Sequence, residues 1–325
     1  MSELEAFLAE QAAYQSAGRG TFTVDPARQR ELLGRLGLAQ SELGFVKLAQ
    51  GACQSGAAQL DLVAESNSLT VSFHPTRAPR QPLWEGEALA LSLLSLSQEY
   101  ELDWSWTFDG CRVTGQARDH HFTEAQSVAA LGQAANHLEV RISKSRKSWW
   151  HRSWTAAVHK LLARRLMGTP MTATWNGQPL TQPLRLSARA EAFVYSPPQE
   201  SGGLWLPIQS SASLRRTRCG GAEGEAAQSL ADPLEVGNQP GYRGWAALGA
   251  TGASWSETIF VLDGVALEKE SNLLDRPGIV AVVSATGLNA DLGGLHLIHD
   301  QAFRDRLQSL RGEVRWLDAI NQTGR

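Results

Sequence analysis

The densest chemical feature of the sequence is a run of interleaved cations and aromatic rings. From Arg141 it reads Arg-Ile-Ser-Lys-Ser-Arg-Lys-Ser-Trp-Trp-His-Arg-Ser-Trp154, and basic residues continue at Lys160, Arg164 and Arg165. Such a run can meet phosphates and stack on bases, or lie on an anionic surface. It equally describes a helix with Trp150, Trp154, Val158, Leu161 and Leu162 in the core and its charges in water. As a functional surface, its contact residues are Arg146, Lys147, Trp149 and Arg152, and an acidic protein partner fits them. The net charge of −3 gives no global reason to bind nucleic acid or an anionic membrane. Nucleic-acid binding through residues 141–165 would require affinity that falls steeply with salt.

His296-Leu-Ile-His299-Asp300 invites a metal reading, since two histidines three apart can share a helical face. The stretch reads, however, as strand running into a helix cap, where the two rings diverge, so no metal is expected. His120-His121 reads as a loop pair without cysteine or carboxylate at ligand spacing. No Gly-x-Ser-x-Gly elbow, phosphate-binding loop or Cys-x-x-Cys is present, which leaves nucleophilic and phosphate-loop chemistry without a foothold. Cys53, Cys111 and Cys219 lie in unrelated contexts and read as reduced structural thiols. Hydrophobic residues make up 42% of the 325, which favours a folded chain of two domains. The acidic, amphipathic start lacks a signal peptide's basic and apolar regions. No run approaches the ~20 apolar residues of a membrane span. A cytoplasmic location follows as an expectation.

The elements that must position these residues are legible in outline. Asp25-Pro26 opens a helix to about Leu36. Ser41 caps a second, ending near Gly56, with Leu43, Val46 and Ala49 at helical spacing. Leu60/Leu62 and Leu69/Val71/Phe73 alternate as two strands. A proline-rich loop at 74–82 precedes a helix from about Leu83 to Gln98. Leu102, Trp104, Trp106 and Phe108 line one face of a strand that Asp109-Gly110 turns back along Cys111–Ala117. Thr123-x-x-Gln126 resembles a capping box opening a helix to about Asn136. A strand at Leu138–Ser143, a helix over Trp149–Met167 and a hairpin around Asn176-Gly177 follow. Beyond Pro183 the chain reads as strand-rich: Leu184–Tyr195, Leu204–Ser213, Trp245–Ala250, Thr258–Leu262 and Gly278–Ser284. A turn is expected at Asp263-Gly264, and a helix capped by Asp300 runs to about Leu310. Residues 219–242, rich in Gly, Ala and Gln with Pro233 and Pro240, read as a long loop. This is an α+β chain with domains at 1–182 and 183–325.

The stretch Phe45-Val-Lys-Leu-Ala-Gln-Gly-Ala-Cys-Gln-Ser-Gly-Ala57 is spaced like the helix carrying the catalytic glutamate, magnesium asparagine and adenine aspartate of the gyrase/heat-shock-chaperone/histidine-kinase/MutL (GHKL) ATPases. Toward the end, Ile259–Leu267, Gly278–Ser284 and Leu288–Leu295 resemble the strands and loop closing the middle-domain ATPase segment of the ninety-kilodalton heat-shock chaperones. The resemblance touches both halves through pattern and order rather than identity. It implies a Bergerat-type helix-on-sheet sandwich followed by a transducer-like or middle-like domain.

At the three positions where the family pattern needs Glu, Asn and Asp, this chain has Lys47, Gly51 and Gln54. A carboxylate orients and deprotonates the attacking water, and an ammonium does not replace it. Lys47 is expected to pack its stem on the helix and send its head to solvent. Magnesium demands oxygen ligands, and Gly51 offers none; it is expected to permit close helix–sheet packing. Gln54 can still accept from an adenine amine but forfeits a charge-assisted bond of roughly 1.5–3 kcal/mol. After Leu69–Phe73 stands His74-Pro-Thr-Arg-Ala-Pro79, without the family's aspartate and glycines, and its prolines cannot donate N–H groups to phosphate. Gly110 and Gly115 are accounted for by hairpin geometry rather than by a lid. Glycine replaces the phosphate-sensing arginine in the loop matching Asp291–Gly294. The expectation is a catalytically inactive, chaperone-like member acting as a protein interaction or scaffold module in a bacterial-type cytosol, without a cofactor. The competing expectation is a divergent ATP-binding protein using ATP with Mg, for which Glu42 or Asp61 would have to face the pocket.

Overall fold

The computed structural model describes residues 19–23, 40–76, 87–108, 111–118, 121–128, 136–144, 154–180, 193–196, 204–207, 234–236, 239–250, 253–291 and 293–323. The chain divides into two compact units, Met1–Ala163 with Met171–Leu180, and Arg164–Pro170 with Thr181–Arg325.

The first unit is built on a nine-stranded sheet. Its strands are β1 (Arg19–Thr23), β2 (Gln59–Ala64), β3 (Ser68–Phe73), β4 (Tyr100–Phe108), β5 (Cys111–Arg118), β6 (His121–Val128), β7 (His137–Lys144), β8 (Thr172–Trp175) and β9 (Gln178–Pro179). Their spatial order is β1-β6-β5-β4-β7-β3-β2-β8-β9, and only the β2–β8 pairing is parallel. Strict alternation decides which face is covered. Tyr100, Leu102, Trp104 and Trp106 of β4 are buried, and so are Leu138, Val140 and Ile142 of β7 beside them. Helices α1 (Leu43–Gln54) and α2 (Glu87–Leu96) cover that face, with Phe45 edge-on to Tyr100 at 5.6 Å between ring centroids. Trp154, at the start of α3 (Trp154–Arg165), completes the aromatic cluster 5.1 Å from Tyr100. This is α+β architecture with helices laid on a sheet.

The second unit carries β10 (Phe193–Ser196), β11 (Leu204–Pro207), β12 (Leu234–Val236), β13 (Gln239–Gly244), β14 (Ala246–Ala250), β15 (Glu257–Leu262), β16 (Val265–Ala266), β17 (Glu270–Ser271), β18 (Ile279–Ser284) and α4 (Gln301–Thr323). One sheet runs β10-β14-β18-β15-β16 with β17 against β15, and a second runs β11-β13-β12. Phe303, Leu310, Val314 and Leu317 of α4 pack on Trp245, Phe260 and Ile279 in its core. The turns at Asn176-Gly177 and Asp263-Gly264 have positive φ at both residues (50°, 76°; 48°, 74°), as tight hairpins require.

Several expectations need correction. Thr123-x-x-Gln126 opens no helix. It lies within β6, whose ladders to β1 and β5 and buried Phe122 override the local capping signal. Ser41 does not cap α1: the N-cap is Glu42, without a side-chain bond, and Ser41 is buried. Part of the 219–242 stretch is hairpin rather than loop, β12 pairing with β13. Among the described residues, the pairing of β11 with β13 ends at Pro207 opposite Gly241, one position short of Pro240. α4 continues past Leu310 to Thr323, because Val314 and Leu317 prolong the apolar stripe through exposed Gly312. Gly115 is not a turn residue but faces Trp104 in mid-strand, where a Cβ would lie 2.2 Å from the indole. The expected helix over 25–36, residues 149–153 of the Trp149–Met167 helix, and 219–233 lie outside the described residues. No described helix is long and apolar enough to cross a membrane.

Candidate functional site

Gly44, Lys47 and Gly51 recur at i, i+3 and i+7 of α1 and therefore share one face. That face is covered by α2. An ideal Cβ at Gly44 would stand 2.7 Å from Leu96 Cγ, and one at Gly51 would stand 2.7 Å from both Cγ and Cδ2 of Leu89. The sequence of α2 explains the fit, since Ala88, Leu89, Leu91, Leu93, Leu94 and Leu96 are all buried. Glycines on one helix and leucines on the other let the backbones approach closely, at a cost of roughly 1 kcal/mol per glycine in helix propensity. The close packing at Gly51 is thus helix on helix, not helix on sheet.

Lys47 also departs from expectation. Its head does not reach solvent: the residue is 3% exposed, and Nζ donates to Gln50 Oε1 at 2.6 Å. A buried ammonium requires an acceptor, and the amide oxygen one turn on supplies it. Gln54, in the last turn, is exposed. Beyond it, the start of the loop after β3 is tied to the end of α1. Thr76 N donates to Ser55 O at 3.0 Å, and Thr76 Oγ1 to Gly56 O at 3.0 Å.

The contacts of Lys47, Gly51 and Thr76 are made within the fold. Lys47, at the position that the GHKL resemblance assigns to the base, carries a cation. Leu89 fills the space a side chain at position 51 would need, and the backbone at Thr76 is spent on α1. Glu42 is exposed, and Asp61 lies on the far face of the sheet, accepting from Gln59 Nε2 at 2.8 Å and Thr174 Oγ1 at 2.7 Å. In the second unit, Asp291 turns inward on its own loop, accepting from Leu295 N at 3.1 Å and His296 N at 3.3 Å.

Arg146, Lys147, Trp149 and Arg152 lie outside the described residues. Of the rest of that run, Trp154, Val158 and Leu162 are core, while Lys160 and Arg164 are exposed. Arg165 breaks the expectation that the charges face water. It is buried, donates Nη1 to Ala266 O at 3.1 Å and pairs with Glu268. Burial lowers its pKa and Glu268 opposes that shift, but a guanidinium stays charged. His296 bonds Asp291 at 3.2 Å and His299 approaches Glu270 at 3.4 Å, so the two rings serve different carboxylates. His121 is an exposed strand residue rather than a loop residue; His120 lies outside the described residues. Cys53 is half-buried and forms no disulfide. Among the described residues no three His, Cys, Asp or Glu side chains gather as a metal centre. One juxtaposition had no sequence signal. His74 and His137, 63 positions apart, meet with ring centroids 4.9 Å apart.

No family model matches the sequence, and no curated protein matches it. Among solved structures, the chain is similar to the ATP-binding domain of topoisomerase IV from Francisella tularensis, determined with a small-molecule inhibitor. The TM-score is 0.48 at 10% identity, over 94% of each chain. At that distance the likeness assigns no activity, ligand or residue role to this chain.

Proposed function

We propose that this chain is a catalytically inactive protein of GHKL type that acts as a protein interaction or scaffold module in the cytoplasm. The reading is carried by the occupied face of α1. The positions that should hold the base and the metal ligand bear a buried lysine and a glycine pressed against Leu89. Adding oxygen ligands there would require α2 to move away. The proposed contact residues for a protein partner are Arg146, Lys147, Trp149 and Arg152.

Thermal unfolding of the full chain with and without Mg-ATP tests the inactivity. A ligand at 100 times its dissociation constant stabilises by roughly 2.7 kcal/mol. The expected result is no displacement of the transition and no release of inorganic phosphate. A displacement of that size, or phosphate release abolished by Lys47→Ala, overturns the proposal. The partner surface is tested separately. Arg146→Ala, Lys147→Ala and Arg152→Ala together should weaken recovery of a purified partner, and undiminished recovery removes that surface.

A further inference from the structure

β3 and β7 pair antiparallel with Phe73 opposite Leu138, so the next position places His74 opposite His137. Both side chains lie on the sheet face away from α1 and α2, because their neighbours Phe73 and Leu138 are the buried ones. His74 is exposed and His137 half-buried, so the pair is open to solvent. The ring centroids are 4.9 Å apart and the planes are tilted by 35°. His74 Nδ1 lies 2.8 Å from the carbonyl of Asn136, next to His137 in the chain. A carbonyl only accepts, so Nδ1 carries the proton and Nε2 keeps its lone pair. An imidazole whose second nitrogen is anchored to a carbonyl is oriented in the way that metal-ligating histidines are.

We propose that His74 and His137 form a two-imidazole site for a late first-row divalent metal ion of the copper or zinc class. Imidazole suits these ions, which it binds at about 2.0–2.1 Å for zinc, and rings whose centroids are 4.9 Å apart are within reach of one ion. Solvent would fill the remaining positions. Burial, and after it the neighbouring His74, lower the pKa of His137 against the opposing pull of Glu139. The site is independent of the reading of α1, since it uses the opposite face of the sheet.

The test uses the full chain with Cu(II) and Zn(II) salts as probes, because the chain holds 8 histidines and the pair must be separated from the rest. Competition against a chromophoric chelator should show a tightly held equivalent in the unaltered protein. His74→Gln and His137→Gln should each weaken it by at least the roughly 10–100-fold that loss of a mere outer-shell partner costs. The Cu(II) paramagnetic spectrum should change from two coupled imidazole nitrogens to one in either variant. Circular dichroism without metal shows that each variant is folded. On the unaltered protein, Zn(II) should shift the ring resonances of two histidines in concert, a readout that needs no variant. Undiminished affinity in both folded variants overturns the proposal, as does a single-imidazole copper spectrum or concerted shifts confined to other histidines.

Discussion

Replacing Gly51 with alanine isolates the packing that closes the face of α1. In an open helix interior, Gly→Ala gains about 1 kcal/mol of helix propensity. At Gly51 the new methyl would meet Leu89 Cγ and Cδ2, both at 2.7 Å, and Leu89 N at 3.3 Å. Cγ is a branch point held by the backbone, not a free end, so the leucine cannot swing clear cheaply. Overpacking of this kind costs roughly 1–3 kcal/mol. Gly51→Ala should therefore be neutral or destabilising by up to about 2 kcal/mol. Gly312→Ala is the reference, since nothing lies within 4 Å of its Cβ and it should gain about 1 kcal/mol. Because the chain has two compact units, calorimetry should follow each transition separately. Leu89→Ala alone should cost about 2–5 kcal/mol. In that background the clash with the leucine side chain is gone, and Gly51→Ala should become stabilising by about 1 kcal/mol. If Gly51→Ala stabilises its unit as much as Gly312→Ala does, α2 does not close the face and the cleft reading fails.

Gly115→Ala should destabilise the first unit by roughly 1–3 kcal/mol, since a Cβ would fall 2.2 Å from the Trp104 ring; near-ultraviolet dichroism should report the displaced indole. Arg306→Ala should cost the second unit roughly 1–3 kcal/mol in urea unfolding, because Nη1 donates to Ser284 O at 2.5 Å and Nη2 to Thr286 O at 3.0 Å, and these carbonyls would lose their donor. In metal-free buffer, the depressed pKa of His137 means that the unfolded chain binds more protons just below pH ~6.5. Stability should accordingly decline as pH falls through that value, and His137→Gln should flatten the slope. Lys269 Nζ, 2.7 Å from Glu257, lowers that carboxylate's pKa, so its contribution persists above the ordinary Glu range and disappears as pH falls through the lowered value. Lys269→Met should move this acid-side loss toward higher pH.

The sequence carried most of the framework wherever one short-range rule sufficed. Alternation revealed β2, β3, β4 and β7, and Asn176-Gly177 and Asp263-Gly264 revealed their hairpins. It misled where local chemistry and tertiary pairing disagree. Thr123 and Gln126 have the side chains of a capping box, but two neighbouring strands claim the backbone of β6. The pattern of the helix opened by Asp300 predicts an end near Leu310, yet Val314 and Leu317 give the later turns of α4 a core to bury. Pro240 resembles a loop marker, yet it stands in β13 opposite Glu235 of β12.

The candidate site divides along the same line. That Lys47 and Gly51 lack the family's oxygens is visible from residue types alone. That this face of α1 is filled is not, because it depends on Leu89 and Leu96 coming from a helix some 40 residues later. The two facts reinforce each other physically. Deleting a metal ligand to glycine by itself leaves a hole that solvent or a nucleotide can enter. Deleting it where a leucine then packs against the backbone exchanges a polar cleft for buried apolar contact, at about 25 cal/mol per Å². Placing a ligand at position 51 would have to displace a core leucine as well as add a side chain. Gly51→Asn in a Leu89→Ala background would place an oxygen on this face of α1 without a clash against the Leu89 side chain, at the cost of the leucine's own packing. Gly51→Asn alone should lower stability more than Gly51→Ala does, because its longer side chain must also find room against Leu89. Equal stabilities for the two variants would mean that the asparagine points away from α2, and the shared face of Gly44, Lys47 and Gly51 would have to be redrawn.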